Sequence, residues 1–394
     1  MADERPAVAP EWATTAAAGD RDSAPGGKID TGWVAGEAPP YNWMNFLFKN
    51  PADWVRYLDT VTSALASLNW EQAVGEGTDG VFTNGTPTGG DYDPLSGYWV
   101  LAGLTDGCWI STDDARTFVD FGTGMASTVS LRDCAIGATS SAVCVGNSAT
   151  AYRRDTILSG SWGTVTLPGS PTSLRNVLYD TQNTRYIVLG GESGEPYAAT
   201  SDNDTGTAFT ERSDNLPAVF DGEEIVSAAV NNAGIVVASV LSAATKTAFS
   251  TDGGIAWSES TTALVSGKYD IAWSAELDLF VAVRKDSTTT NQTYTSSDGD
   301  VWTPVGTGPI GFDNDILSSG HSVRFLRHAL VVGGRRDSLA VLGISEDLGS
   351  TWSIQQLDSL GGVDPNMATS RSGGKLVAVT DSGFGYRSAR SKAG

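Results

Sequence analysis

An element of one kind returns seven times along this chain, at intervals of 42 to 50 residues: an apolar β-rich run, a Ser-x-Asp-x-Gly turn and a following aromatic. The fullest copies are Ser250-Thr251-Asp252-Gly253-Gly254-Ile255-Ala256-Trp257 and Ser345-Glu346-Asp347-Leu348-Gly349-Ser350-Thr351-Trp352. The copy from Ser111 through Asp113 to Phe118 has Ala115 in the glycine place, and the copy from Ser296 through Asp298 to Trp302 is one residue short. Copies at Asp155 and Asp202 are degenerate, and the seventh keeps only Ser388. A repeat of this length in strand-rich sequence marks units that bury their faces against one another, the pattern of propeller blades.

The aromatics after the turns are Phe118, Trp162, Phe209, Trp257, Trp302 and Trp352, and one more, Trp70, precedes every turn. Each unit therefore runs from an aromatic through several strands to the next turn, and Trp70 opens a strand with no turn of its own. In a closed ring that strand completes the last blade beside 375–379 and 384–388, which removes the edge an open ring would leave. The expectation is an all-β chain with a seven-bladed β-propeller over residues 69–390.

Physical chemistry explains the turn. Positive φ favours Gly, the Asp carboxylate accepts free backbone N–H groups, the Ser hydroxyl adds a local bond, and the aromatic packs between blades. The runs before the turns, such as Tyr98-Trp99-Val100-Leu101-Ala102 and Leu279-Phe280-Val281-Ala282-Val283, are short, β-branched or aromatic, and bounded by turn residues. These turns resemble the Asp-box of sialidase-type β-propellers, over about residues 68–390. The resemblance implies a fold staple on the outer rim, away from the central cavity. It assigns that role to Ser111, Asp113, Phe118, Ser250, Asp252, Gly254, Trp257, Ser296, Asp298, Trp302, Ser345, Asp347, Gly349 and Trp352.

Composition narrows the partners. The chain carries 46 Asp plus Glu against 25 Lys plus Arg, a net charge of −21. With no basic stripe, nucleic acid is a poor partner. No uninterrupted apolar stretch is long enough to span a bilayer, and the N-terminus lacks the apolar region of a signal peptide. Scarce Lys and abundant Ala, Thr, Ser and Gly suit an externally exposed protein, and such a chain without a secretion signal is expected to leave the cell another way, such as inside a virus particle. Cys108, Cys134 and Cys144 are an odd number without CxxC spacing, so a disulfide framework is not indicated, while one pair between neighbouring strands stays open. Two histidines are too few for a His-based metal site, and no cofactor is expected.

The first 68 residues differ in kind. Residues 1–27, rich in Ala, Pro, Asp and Gly, are expected to be an extended or disordered arm. Residues 28–68 begin as a Gly- and Pro-fixed ribbon to Pro40, followed by a short helix from Tyr41 to Phe48. Pro51 then opens a second helix, in which Trp54, Leu58, Val61, Leu65 and Leu68 follow a 4, 3, 4, 3 spacing. That seam fits either packing on the chain's own propeller or a short parallel bundle, three chains about one axis. The run from Lys28 to Phe48, with its Gly-Trp, Gly-Glu-x-Pro-Pro and aromatic-Asn stretch, is similar to N-terminal anchoring segments of tailed-phage fibres. The resemblance implies that Trp33, Pro39, Pro40, Tyr41, Trp43 and Phe46 attach the chain to a particle or to sister subunits, with Trp54, Leu58, Val61 and Leu65 in the oligomer.

A sialidase-like enzyme needs an arginine cluster with a Tyr–Glu pair and an Asp; Arg153-Arg154 and Arg335-Arg336 are the arginine pairs, but the Arg-Ile-Pro element of that family is absent. Arg153 and Arg154 sit inside a degenerate turn and are expected at the rim, and Arg335 and Arg336 are expected in a solvated turn between two strands. A glycosidase needs two facing carboxylates, for which Glu223 with Glu224, or Asp313 with Asp315, are candidates. Asp91-Tyr92-Asp93 and Asp202-Asn203-Asp204 cluster oxygens without the EF-hand Gly and Glu. The sequence favours a non-enzymatic virion appendage, a homo-oligomer held to tail or capsid proteins through residues 1–68. Its propeller binds a host surface glycan or protein, with Tyr92 and Trp109 as possible contacts. The alternatives are a glycan-degrading tailspike and a decoration or connector protein.

Overall fold

The computed structural model describes residues 69–73, 82 and most of 85–389; 1–68, 74–81, 241–246, 285–291, 308–322, 358–365, 370–373, 381–384, 390–394 and several shorter stretches lie outside the described residues. The anchoring residues Trp33, Pro39, Pro40, Tyr41, Trp43, Phe46, Trp54, Leu58, Val61 and Leu65 are all among those outside.

The described residues form seven antiparallel blades. Blades 1 to 6 span 86–120, 131–164, 173–211, 225–259, 269–307 and 323–356, each with four strands in chain order from the centre outward. Their innermost strands are Thr86–Asp93, Leu131–Ile136, Ser173–Asp180, Ile225–Val230, Tyr269–Ser274 and Val323–Leu326. Blade 7 supplies three strands from the C-terminal end, Asn366–Thr369, Leu376–Val379 and Gly385–Ala389, and takes Asn69–Ala73 as its fourth. The strand that Trp70 opens thus closes the ring, and Trp70–Ala389 forms one compact unit. Among the described residues no helix is long and apolar enough to cross a membrane.

The core lies between blades rather than within any one of them, because each sheet is apolar on both faces and only a neighbouring sheet can cover it. Five interfaces in succession, from blades 1 and 2 to blades 5 and 6, each hold their own apolar cluster. The seam between blades 7 and 1 holds another, with Ala368, Val377 and Val379 against Trp99, Trp109 and Phe118. The aromatics after the turns explain the one-per-unit rule. Phe118, Trp162, Phe209, Trp257, Trp302 and Trp352 each sit in the cluster their blade shares with the preceding blade. At the 7–1 seam the packing is joined by polar contacts. Lys375 Nζ lies 2.6 Å from Asp114 Oδ1 and 4.7 Å from the centre of the Tyr92 ring, and Arg387 Nη1 lies 3.6 Å from Asp114.

Candidate functional site

The innermost strands of blades 1 to 4 each carry one extra residue at a matching place: Thr88, Arg132, Arg175 and Val226 fall where the register with the second strand shifts. A bulge re-aims the chain beside it, and the polar residues that follow bond to the next blade. Asp133 accepts Cys134 N at 2.9 Å and, from blade 3, Val177 N at 3.1 Å. Ser227 accepts Ile271 N of blade 5 at 2.9 Å and donates to the Asp270 carboxylate, which accepts Val323 N of blade 6 at 3.0 Å. Asp91 accepts Ile136 N of blade 2 at 2.9 Å, and Asn366 of blade 7 donates to Pro87 O at 2.9 Å. Gly89 makes room for one of these stitches, since a Cβ there would stand 2.6 Å from Asp133 Oδ1. Among the described residues no such stitch joins blades 3 and 4, and the fully buried Asn176 amide at the matching place finds no hydrogen-bond partner among them.

These strands surround a central cavity of about 160 Å³, lined among others by Asp91, Asp133, Asn231, Trp273 and Arg324. Arg324 donates to Val323 O at 2.8 Å and is a cation of the lining. Burial pulls its pKa below the ordinary arginine value against the opposing field of Asp270, Asp133 and Asp91; a guanidinium still stays protonated at any physiological pH. The cavity is smaller than the roughly 300 Å³ at which ligand pockets begin. It can hold water or a small polar group.

At the other end of the inner strands, the bulge arginines of blades 2 and 3 lie near each other. Arg132 Nε donates to Asn147 Oδ1 at 3.1 Å, and Arg175 pairs with Glu224 at 3.1 Å. Burial and the nearby Arg175 charge lower the Arg132 pKa. Glu224 is thus engaged by Arg175, and Glu223 precedes it on the chain leading into Ile225–Val230. Asp313 and Asp315 lie outside the described residues.

The Ser-x-Asp turns join the third and fourth strands of blades 1, 4, 5 and 6. Ser250 Oγ donates to Asp252 Oδ1 at 2.8 Å and accepts Gly254 N at 2.9 Å, while Asp252 Oδ1 accepts Ile255 N at 3.0 Å and Ala256 N at 2.9 Å. Ser111 with Asp113, Ser296 with Asp298 and Ser345 with Asp347 repeat this arrangement. Trp257 Nε1 and Trp352 Nε1 donate back to Gly254 O and Gly349 O at 3.0 and 3.1 Å. Burial raises the pKa of Asp113, Asp252, Asp298 and Asp347, and the donors more than reverse it, so all four lie below the ordinary carboxylate value. Two successive residues of each full turn are left-handed: Gly253 and Gly254 at φ 73° and 85°, Leu348 and Gly349 at 55° and 96°, Asp114 and Ala115 at 64° and 60°. The shortened copy has one such residue, Gly299 at 81°.

Other residues read from the sequence fall apart from any common site. Trp109 is 1% exposed and packs edge-on against Phe82, so it cannot reach a ligand; Tyr92 is half-buried under Lys375. Arg153 bonds its neighbour Asp155 at the surface, but Arg154, expected at the rim, is buried with its guanidinium 4.0 Å from the Phe121 ring. Arg335 and Arg336 end the strand Ala329–Arg336 and pair with Ala340 and Leu339. Asp93 accepts Leu95 N, Ser96 N and Ser140 Oγ, and Asn203 caps its own turn through Thr205 and Thr207. Among the described residues no three His, Cys, Asp or Glu side chains converge to hold a metal ion.

No family model matches the chain, and no curated protein matches it by sequence. Solved structures resemble it in fold. YCF48 from Cyanidioschyzon merolae has a TM-score of 0.58 at 13% identity, over 81% of this chain and 98% of that one. YCF48 bound to D1 peptide gives 0.56 at 14% identity, over 83% and 97%. The GH74 xyloglucanase from Xanthomonas campestris gives 0.59 at 14% identity, over 80% of this chain and 53% of the enzyme, so the chain spans about half that protein. At such identities the likeness is one of fold alone.

Proposed function

We propose that this chain is a structural protein of a tailed virus: a tail fibre or appendage subunit that attaches through residues 1–68, assembles as a homotrimer, and displays its propeller to a host surface glycan or protein. The observation that carries the non-catalytic part is the use of the central carboxylates. Asp91, Asp133 and Asp270 each accept backbone N–H groups across a blade boundary, so the acids nearest the axis act as ties. With a central cavity this small, recognition of a glycan or protein belongs to the loops at the blade ends, which a rigid ring holds in fixed relation. The virion part rests on the Lys28–Phe48 run and its likeness to fibre anchors.

The runner-up is a glycan-degrading tailspike. It draws on the xyloglucanase-like fold, and fold does not carry chemistry from one chain to another. A decoration or connector protein is the third reading. Incubating the purified full-length chain with susceptible host cells and with their extracted surface polysaccharide separates all three. Saturable cell binding without release of reducing ends supports the appendage; release of reducing ends supports the tailspike; neither supports the connector.

A further inference from the structure

Cys134 lies on the innermost strand of blade 2 and Cys144 on the strand beside it, directly opposite in the antiparallel register. Residues so placed have Cα atoms about 4.5–5.5 Å apart, inside the 4.4–6.8 Å that a disulfide spans. Their sulfurs are 2.8 Å apart, and all three cysteines are free thiols. Both are at most 2% exposed and share one apolar cluster with Cys108, Val100, Ala102, Ile136 and Ala142. We propose that Cys134 and Cys144 form an oxidative modification site, a latent cross-strand disulfide in blade 2 that a peroxide closes.

The chemistry balances with hydrogen peroxide as oxidant. One cysteine sulfur attacks a peroxide oxygen; the S–O bond forms, the O–O bond breaks, and the departing hydroxide takes the thiol proton as water. The second sulfur then attacks the sulfenic sulfur; the S–S bond forms, the S–O bond breaks, and a second water leaves with the second thiol proton. Two thiols are oxidised and one peroxide is reduced to two waters. Burial pushes the Cys134 thiol up to about 11, and Cys144 is raised as well, also chiefly by burial. The thiols are therefore slow nucleophiles at neutral pH, because the thiolate is the attacking form. A chain made under reducing conditions keeps them free, and prolonged exposure to oxidant closes them. The new bond fixes the 137–141 hairpin in blade 2.

The test treats the folded full-length chain with hydrogen peroxide, then unfolds it, alkylates free thiols and digests with trypsin. No Lys or Arg lies between Arg132 and Arg153, so residues 133–153 leave as one peptide holding both cysteines, while Cys108 leaves in another. The expected result is a 133–153 peptide two hydrogens lighter and unalkylated, with Cys108 still alkylated. Closing this short loop should raise the thermal midpoint by about 4 °C. Cys108→Ser should keep the two-hydrogen loss, and Cys144→Ser should abolish it. Alkylation of all three cysteines after oxidation, a Cys108–Cys144 link between peptides, or oxygen gain at Cys134 without the link would each overturn the proposal.

Discussion

Replacing Asp133 by Ala removes the acceptor that two buried N–H groups share, one in blade 2 and one in blade 3. Hydrogen bonds to a charged group contribute about 1.5–3 kcal/mol each, and an orphaned buried donor costs about 1–3 kcal/mol. Asp133 also borders the central cavity, so a water can enter and take over part of the acceptor role. The net loss should be about 2–4 kcal/mol. For a propeller of this size, at about 2.1 cal/mol/K of unfolding entropy per residue, that lowers the thermal midpoint by roughly 3–6 °C. The assay is thermal unfolding followed by circular dichroism or calorimetry, with Asp155→Ala as control. Asp155 bonds Arg153 at the surface, and its loss should cost less than about 0.5 kcal/mol. If Asp133→Ala and Asp155→Ala shift the midpoint equally, the inner aspartates are not ties between blades, and the reasoning fails.

Three further outcomes follow from the turns and the seam. Folding lowers the pKa of Asp113, Asp252, Asp298 and Asp347, so their stabilisation is present above the ordinary carboxylate range near pH 4 and is lost as pH falls through the lower folded values. Asp252→Asn should therefore melt below wild type at pH 7, with the gap narrowing below pH 4; a gap constant from pH 7 to pH 2 contradicts this. Ala115→Gly should stabilise by up to about 1 kcal/mol, because Ala115 holds a left-handed conformation that glycine adopts freely, and Gly254→Ala should do the reverse; chemical denaturation midpoints decide it. Lys375→Met should cost about 0.5–1 kcal/mol at low salt and little at 1 M salt, since its partner Asp114 is two-fifths exposed; a salt-independent loss would make the contact one of packing.

The ring was legible because each unit advertises itself twice, by a turn that needs glycine and an aromatic that needs a neighbouring sheet. The count of seven aromatics beginning at Trp70 even located the closing strand. The inner ties were not legible, because no fixed motif marks them: Asp133, Ser227 and Asp270 serve with different residue types, and Asp91 reaches blade 2 from another place on its strand. Bulges hid them further, since one extra residue at Arg132 or Arg175 breaks the alternation by which a strand's faces are read. Arg154 was misplaced for a related reason. A charged pair in a degenerate turn reads as solvated, whereas the Phe121 and Trp162 rings bury one of the two. The partner of Glu224 was not legible either, because adjacency in sequence says nothing of Arg175 on the preceding blade.

The most direct measurement of the proposed role is immunogold labelling, with an antibody raised against the propeller, of tailed particles from lysed cells that express the chain. The account predicts gold on the outside of intact particles, at appendage positions and in multiples of three copies. Unlabelled particles, with the protein recovered only in particle-free fractions, would contradict it.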